Sequence, residues 1–220
     1  RAAVFDMDGM LLDYERPITE TDYLDLVGRN HVDSRLRMLG LLGGEAGLAQ
    51  AGALVDADLG ARYGGTQAFD LKPGAATLVQ ALHDAGVPLA VASSTRRAEV
   101  ERRLRNAGLL DRFGAVCGGD EVTRGKPAPD IYALAVARLG VPPGEALAFE
   151  DSGHGALAAQ AAGLGVVLVP DLKPPEATWA ARSVAVLASL TEAWPRCVDW
   201  FGVRVTDAGI ARAEGRSTRS

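Results

Sequence analysis

Four short segments hold the acids, hydroxyls and cation whose types and spacing could do chemistry. In Val4-Phe5-Asp6-Met7-Asp8-Gly9, two aspartates two residues apart follow an apolar run, and a glycine lets the chain turn away behind them. Carboxylates held this close need a cation or a proton, because like charges at short range raise one pKa strongly. Leu89-Ala-Val-Ala92 runs into Ser93-Ser94-Thr95. Hydroxyls and free backbone N–H groups at a helix start suit an anion, and they would equally serve to cap that helix. Lys126 stands in Gly125-Lys126-Pro127-Ala128-Pro129-Asp130, where glycine and proline hold its backbone in a stiff turn. Ala146-Leu-Ala-Phe149 delivers a second pair of acids, Glu150 and Asp151, followed by Ser152, and Asp151 or Ser152 could be only a helix cap. Each segment alone has a structural explanation. Together they supply four acids, hydroxyl donors and a lysine, an inventory that fits oxygen coordination of a hard cation beside a bound phosphate dianion.

These segments can meet only if parallel strands carry them to one edge. Uninterrupted apolar runs occur at Ala2–Phe5, Leu89–Ala92, Ala115–Cys117, Ala146–Phe149, Val166–Val169 and Val184–Leu187, as expected of strands buried on both faces. Helical spacing separates them: Leu78, Val79 and Leu82; then Val100, Leu104 and Ala107; then Ile131, Leu134, Ala135 and Leu139, with Pro129 before and Gly140 after. This alternation predicts an α/β fold with a doubly wound parallel sheet, in which ligands bind at the C-terminal strand ends. From about Tyr14 to Phe69 the rhythm breaks. Helical pieces around Asp22–Val27, Ser34–Leu42 and Gly47–Tyr63 predict a small helical insertion after the first strand. The polar tail from about Arg204 onward is expected to fray.

Composition narrows the classes further. The chain has 220 residues, room for one α/β core plus a small inserted domain. With 28 acidic and 23 basic residues its net charge is −5, which argues against a nucleic-acid partner. Cys117 and Cys197 lie far apart in no metal-binding spacing, which suits a reduced, cytoplasmic protein. The stretch without formal charge from Ser152 to Pro170 is broken by four glycines, so it reads as helix then strand and not as a membrane span, which needs roughly 20 apolar residues.

In its motifs the sequence resembles the haloacid dehalogenase superfamily, in particular the β-phosphoglucomutase and phosphoglycolate phosphatase-like branch. The resemblance covers roughly Ala2–Asp13 and Leu71–Leu190 and rests on four motifs in order: Asp6-Met-Asp8-Gly, the strand ending in Ser93, Lys126-Pro-Ala-Pro-Asp130, and Glu150-Asp151-Ser152. It implies a Rossmann-like core over residues 1–13 and 70–195 and an α-helical cap over 14–69; residues 196–220 are expected to form a partly flexible extension. It implies that Asp6 is the nucleophile and Asp8 the general acid and base. Mg²⁺ would be held by Asp6, the Asp8 carbonyl and Asp151, with Glu150 assisting through water, while Ser93, the Ser94 N–H and Lys126 grip the phosphate. Dehalogenases proper lack the second aspartate, so Asp8 favours phosphoryl chemistry.

The implied activity is hydrolysis of a small phosphorylated metabolite. Alternatives are a β-phosphoglucomutase, which needs the same core residues, and an inactive binding protein of this fold. A monomer or homodimer is expected. One feature departs from the family: Tyr14-Glu15-Arg16-Pro17 passes almost at once to Asp22, where relatives run a long first cap helix, so a segment is expected to be missing there. The sequence also begins without Met, which suggests that the true N-terminus lies further upstream. Arg29, in Gly28-Arg29-Asn30-His31, could meet a second anionic group of the substrate or be a solvated cap residue.

Overall fold

Apolar segments with no hydrophilic side must be covered on both faces, and here they build one parallel sheet flanked by helices. The structure, a computed structural model, describes residues 1–12, 31–63, 70–171, 176–206 and 209–212. The strands are β1 (Ala2–Phe5), β2 (Leu89–Ala92), β3 (Ala115–Cys117), β4 (Ala146–Glu150), β5 (Gly165–Leu168) and β6 (Ala185–Val186), in the order β3-β2-β1-β4-β5-β6. All neighbouring pairs are parallel, and β1 registers with β2 and β4 through Val4 opposite Ala90 and Ala148. The chain therefore winds outward from β1 in one direction, returns to β4, and winds outward in the other. A crevice opens where the winding reverses, at the C-terminal ends of β1, β2 and β4.

The helices are α1 (His31–Leu41), α2 (Glu45–Tyr63), α3 (Ala75–Asp84), α4 (Arg97–Asn106), α5 (Asp130–Leu139), α6 (Gly153–Ala161), α7 (Ala177–Ala180) and α8 (Cys197–Phe201). α1 and α2 form a pair within the segment expected as an insertion, and Arg35 bonds Glu45 across their connection at 2.6 Å. The helix expected around Asp22–Val27 and the anomaly at 14–22 lie outside the described residues.

The two faces of the sheet have different characters. Ala3, Phe5, Leu89, Val91 and Phe149 point to one side, where Leu78, Val79 and Leu82 of α3 and Val100 and Leu104 of α4 meet them. Ala2, Val4, Ala90, Ala92, Ala146 and Ala148 point to the other, under Ile131, Ala135 and Val136 of α5 and Ala156, Ala158 and Ala159 of α6. Small side chains on this second face let the helix backbones approach the strands closely, which accounts for the abundance of alanine.

The C-terminal region departs from expectation. Val203–Thr206 (β7) pairs antiparallel with Gly209–Arg212 (β8), and Val203 and Val205 join Leu190, Ala193 and Cys197 in the first core. Arg204 stands exposed between these two buried valines, a strand period that the tail's overall polarity obscured.

Phe149 is fully buried, stacks on Phe5 at 4.7 Å between centroids, and meets Trp200 edge-on at 6.1 Å. Its replacement by alanine should cost about 3–5 kcal/mol of stability in urea unfolding. A loss under about 1 kcal/mol would mean that this face is not the tightly packed core described here.

Candidate active site

Three strand ends and one turn converge at the crevice. Asp6 follows the last residue of β1, Ser93 follows β2, Glu150 ends β4 with Asp151 next, and Lys126 sits in the turn before α5. Asp6, Ser93, Lys126 and Glu150 are the buried polar residues of the described chain. Lys126 Nζ donates to Asp6 Oδ1 at 2.6 Å and to Glu150 Oε1 at 2.5 Å, bridging the two acids. Asp6 Oδ2 receives no donor among the described residues.

Glu150 is held from several sides. Its Oε1 also accepts from the Tyr132 hydroxyl at 2.5 Å, and its Oε2 accepts from Ser152 Oγ at 3.2 Å. Ser152 caps α6 at the same time, since its Oγ accepts from the Gly155 N–H at 3.1 Å. Capping and site-building are thus two uses of one hydroxyl. A Cβ at position 155 would fall 1.9–2.1 Å from the Glu150 carboxylate, so glycine there lets the acid nest against the first turn of α6. Gly9 has a comparable role: its φ is +82°, and a Cβ would lie 2.3 Å from Asp151 Oδ2.

Electrostatics follow from this crowding. Oxygen atoms of Asp6, Glu150 and Asp151 all lie within 4.8 Å of one another. Burial raises the Asp6 carboxyl from its ordinary 3.8 to about 7, with Lys126 opposing and Glu150 and Asp8 adding to the shift. Asp151 is raised well above the carboxylate range by burial first and then by the charges of Asp6 and Glu150. Burial by itself would lower Lys126, yet the adjacent Asp6 and Glu150 charges leave it above its ordinary value. One lysine does not neutralise three acids. The oxygen donor set and its uncompensated charge fit a hard divalent cation.

Asp8 belongs to a neighbouring cluster. The turn behind β1 closes through Gly9 N–H to the Leu12 carbonyl at 2.9 Å and Leu11 N–H to the Met7 carbonyl at 2.9 Å. From this turn the half-buried Asp8 carboxylate meets Thr95 Oγ1 at 3.0 Å, Ser93 Oγ at 3.5 Å and Arg103 Nη1 at 2.7 Å. Ser93 Oγ in turn accepts from the Thr95 N–H at 3.1 Å. Ser94 is exposed beside this cluster. Arg29 lies outside the described residues.

Sequence reasoning missed Tyr132 and Arg103 and saw Thr95 only as part of a hydroxyl run. Tyr132 had a signal, being the one hydroxyl-bearing residue on the otherwise apolar buried face of α5, where a phenol needs a polar partner. Arg103 had none, because it is one of five arginines between Arg96 and Arg105.

Residues 1–163 match the family model for haloacid dehalogenase-like hydrolases. Plasmid-encoded protein CbbY of Cupriavidus necator is 34% identical over 203 residues, covering 77% of this chain and 78% of its own. Validoxylamine A 7'-phosphate phosphatase of Streptomyces hygroscopicus subsp. limoneus is 33% identical over 210 residues, 89% of this chain and 97% of its own. The crystal structure of CbbY from Rhodobacter sphaeroides in complex with phosphate has a TM-score of 0.72 at 28% identity, over 87% of this chain and 95% of that one.

A carboxyl whose pKa is higher in the folded than in the unfolded chain binds extra protons when folded, so stability falls as pH rises between the two values. With a chelator present, Asp6 should therefore make the melting temperature fall between about pH 4 and about pH 7. Added Mg²⁺ should restore it at neutral pH, and Asp6→Asn should remove much of the slope. Glu121, held near 2 by Arg138, acts oppositely but only below about pH 5, so the difference between wild type and variant reports Asp6 together with the part of the Asp151 shift that the Asp6 charge causes. Equal slopes in the two proteins would refute the assignment.

Proposed function

Since the chain belongs to the haloacid dehalogenase-like hydrolases, we propose that it is a Mg²⁺-dependent phosphatase that hydrolyses a small phosphorylated metabolite through an aspartyl-phosphate. The observation that carries this reading is the buried contact of Lys126 with Asp6 at 2.6 Å, inside a cluster of three carboxylates at the sheet's C-terminal edge. The phosphatase names of relatives such as the validoxylamine A 7'-phosphate enzyme support the substrate class. On this reading residues 1–13 and 70–195 form the catalytic core, residues 14–69 form a cap that closes over it and selects the ester, and Arg29 is a cap residue able to meet a second anionic group.

Lys126 occupies one oxygen of Asp6 and leaves the other to attack phosphorus. The new Oδ–P bond forms as the ester P–O bond breaks, and protonated Asp8 gives its proton to the departing oxygen. Water then attacks phosphorus, Asp8 takes a proton from it, and the acyl phosphate opens to inorganic phosphate and free Asp6. Ser93, the Ser94 N–H and Lys126 bind the phosphoryl oxygens, and Tyr132 and Ser152 keep Glu150 turned toward Lys126. Asp6, Asp151, the Asp8 carbonyl and Glu150, directly or through water, would hold the cation. When bound, it neutralises the clustered acids and polarises the phosphoryl group.

Assayed against a panel of phosphate esters, the protein should release phosphate only with a divalent cation. Asp6→Asn should lower the rate at least about 10³-fold, and Lys126→Met about 10²-fold or more. Release without metal, or release surviving in Asp6→Asn, would overturn the mechanism. Conversion of β-glucose 1-phosphate to glucose 6-phosphate with little phosphate freed would replace hydrolysis by the mutase reaction.

A further inference from the structure

Asp8 is fixed through its backbone by the turn behind β1, but nothing in that turn fixes its side chain. A carboxylate with two rotatable bonds can point toward or away from a reacting oxygen, and proton transfer needs hydrogen-bond reach. Orientation therefore has to come from other elements.

Two groups supply it. Thr95 and Ser93 offer hydroxyls to Oδ2, and hydroxyl hydrogens rotate freely to other acceptors. Arg103, in the last turn of α4, contacts Oδ1 at 2.7 Å through a planar fork that is itself held. Its Nε donates to Glu99 Oε1 at 2.7 Å one helical turn earlier, and Arg102 Nη2 approaches the same oxygen at 2.6 Å. The Arg103 side chain is only 13% exposed and Asp8 32%, so the pair is less screened than an ordinary surface ion pair. The chain Arg102–Glu99–Arg103–Asp8 runs from the exposed face of α4 to the edge of the crevice.

We propose that Arg103 is a positioning residue for Asp8, its fork braced by Glu99 and directing the Asp8 carboxylate toward the phosphate site beside Ser93. The inference rests on the reading of Asp8 as the proton donor to the leaving group. Arg103 touches neither substrate nor phosphorus in this role. Its effect is confined to the steps in which Asp8 moves a proton, of which kcat/KM reads the first, delivery to the leaving group.

That confinement makes the test specific. Phenyl phosphate releases a phenol with a pKa of about 10, like tyrosine, and needs a proton in the transition state. p-Nitrophenyl phosphate releases a far more acidic phenol that departs as the anion. kcat/KM for each ester should be measured with saturating Mg²⁺ for wild type, Arg103→Met, Arg103→Lys, Glu99→Gln and Asp8→Asn. Arg103→Met should lose about tenfold or more on phenyl phosphate and less than about threefold on p-nitrophenyl phosphate. Glu99→Gln should show the same bias more weakly, and Arg103→Lys should recover part of the loss while folding as wild type. Asp8→Asn should show the bias most steeply.

Equal losses of Arg103→Met on both esters, or none, overturn the inference when Asp8→Asn is biased. An unbiased Asp8→Asn removes the proton-donor role itself, and the inference with it. The two failures are thus told apart by which variant loses the leaving-group dependence.

Discussion

The structure depends on one electrostatic problem: three carboxylates, Asp6, Glu150 and Asp151, share a small buried volume with a single lysine. Desolvation penalises each charge, and mutual repulsion adds to it. Lys126 answers part of the problem by bridging Asp6 and Glu150, and Tyr132 and Ser152 answer another part by donating to Glu150. What remains is the crowding of Asp6 and Asp151, which raises both carboxyls and leaves an oxygen donor set that fits a hard cation. Local instability of this kind is tolerated because the two hydrophobic cores around the sheet carry the fold.

The sheet solves the geometric half. Parallel strands share one direction, so residues that follow β1, β2 and β4 all emerge on the same edge, and the reversal of winding between β1 and β4 keeps that edge open. The alanine face of the sheet matters to the site as well as to the core. It brings α6 so near β4 that the Glu150 carboxylate fits only against glycine at 155, and it brings α5 near enough for Tyr132 to reach the same acid. Packing on one face of the fold thereby sets hydrogen bonds at its edge.

A division of labour follows among the polar residues. The cluster around Lys126 is buried, whereas the Asp8 side chain is partly exposed among rotatable hydroxyls and an arginine from α4. On the proposed mechanism, partial access suits a group that exchanges protons with substrate and water, and burial suits a group that holds one orientation.

Much of this was legible in the order of residues. Six apolar runs became six strands, with β4 one residue longer, β5 shifted one residue earlier and β6 trimmed at both ends, because buried parallel strands need only be short and apolar. The motif acids, Ser93 and Lys126 were legible because each sits immediately after such a run or in a turn of distinctive glycine and proline content. The C-terminal hairpin was not, since its buried valines are outnumbered by polar neighbours. Sequence alone determined the strands, the helices between them and the acids at their ends, all of which depend on neighbours within a few positions. Tertiary structure alone decided which oxygen Lys126 occupies, that Tyr132 steadies Glu150, and that Arg103 meets Asp8 across 95 residues. Hydrogen bonds depend on distance and angle in space, and those appear only when helices pack on the sheet.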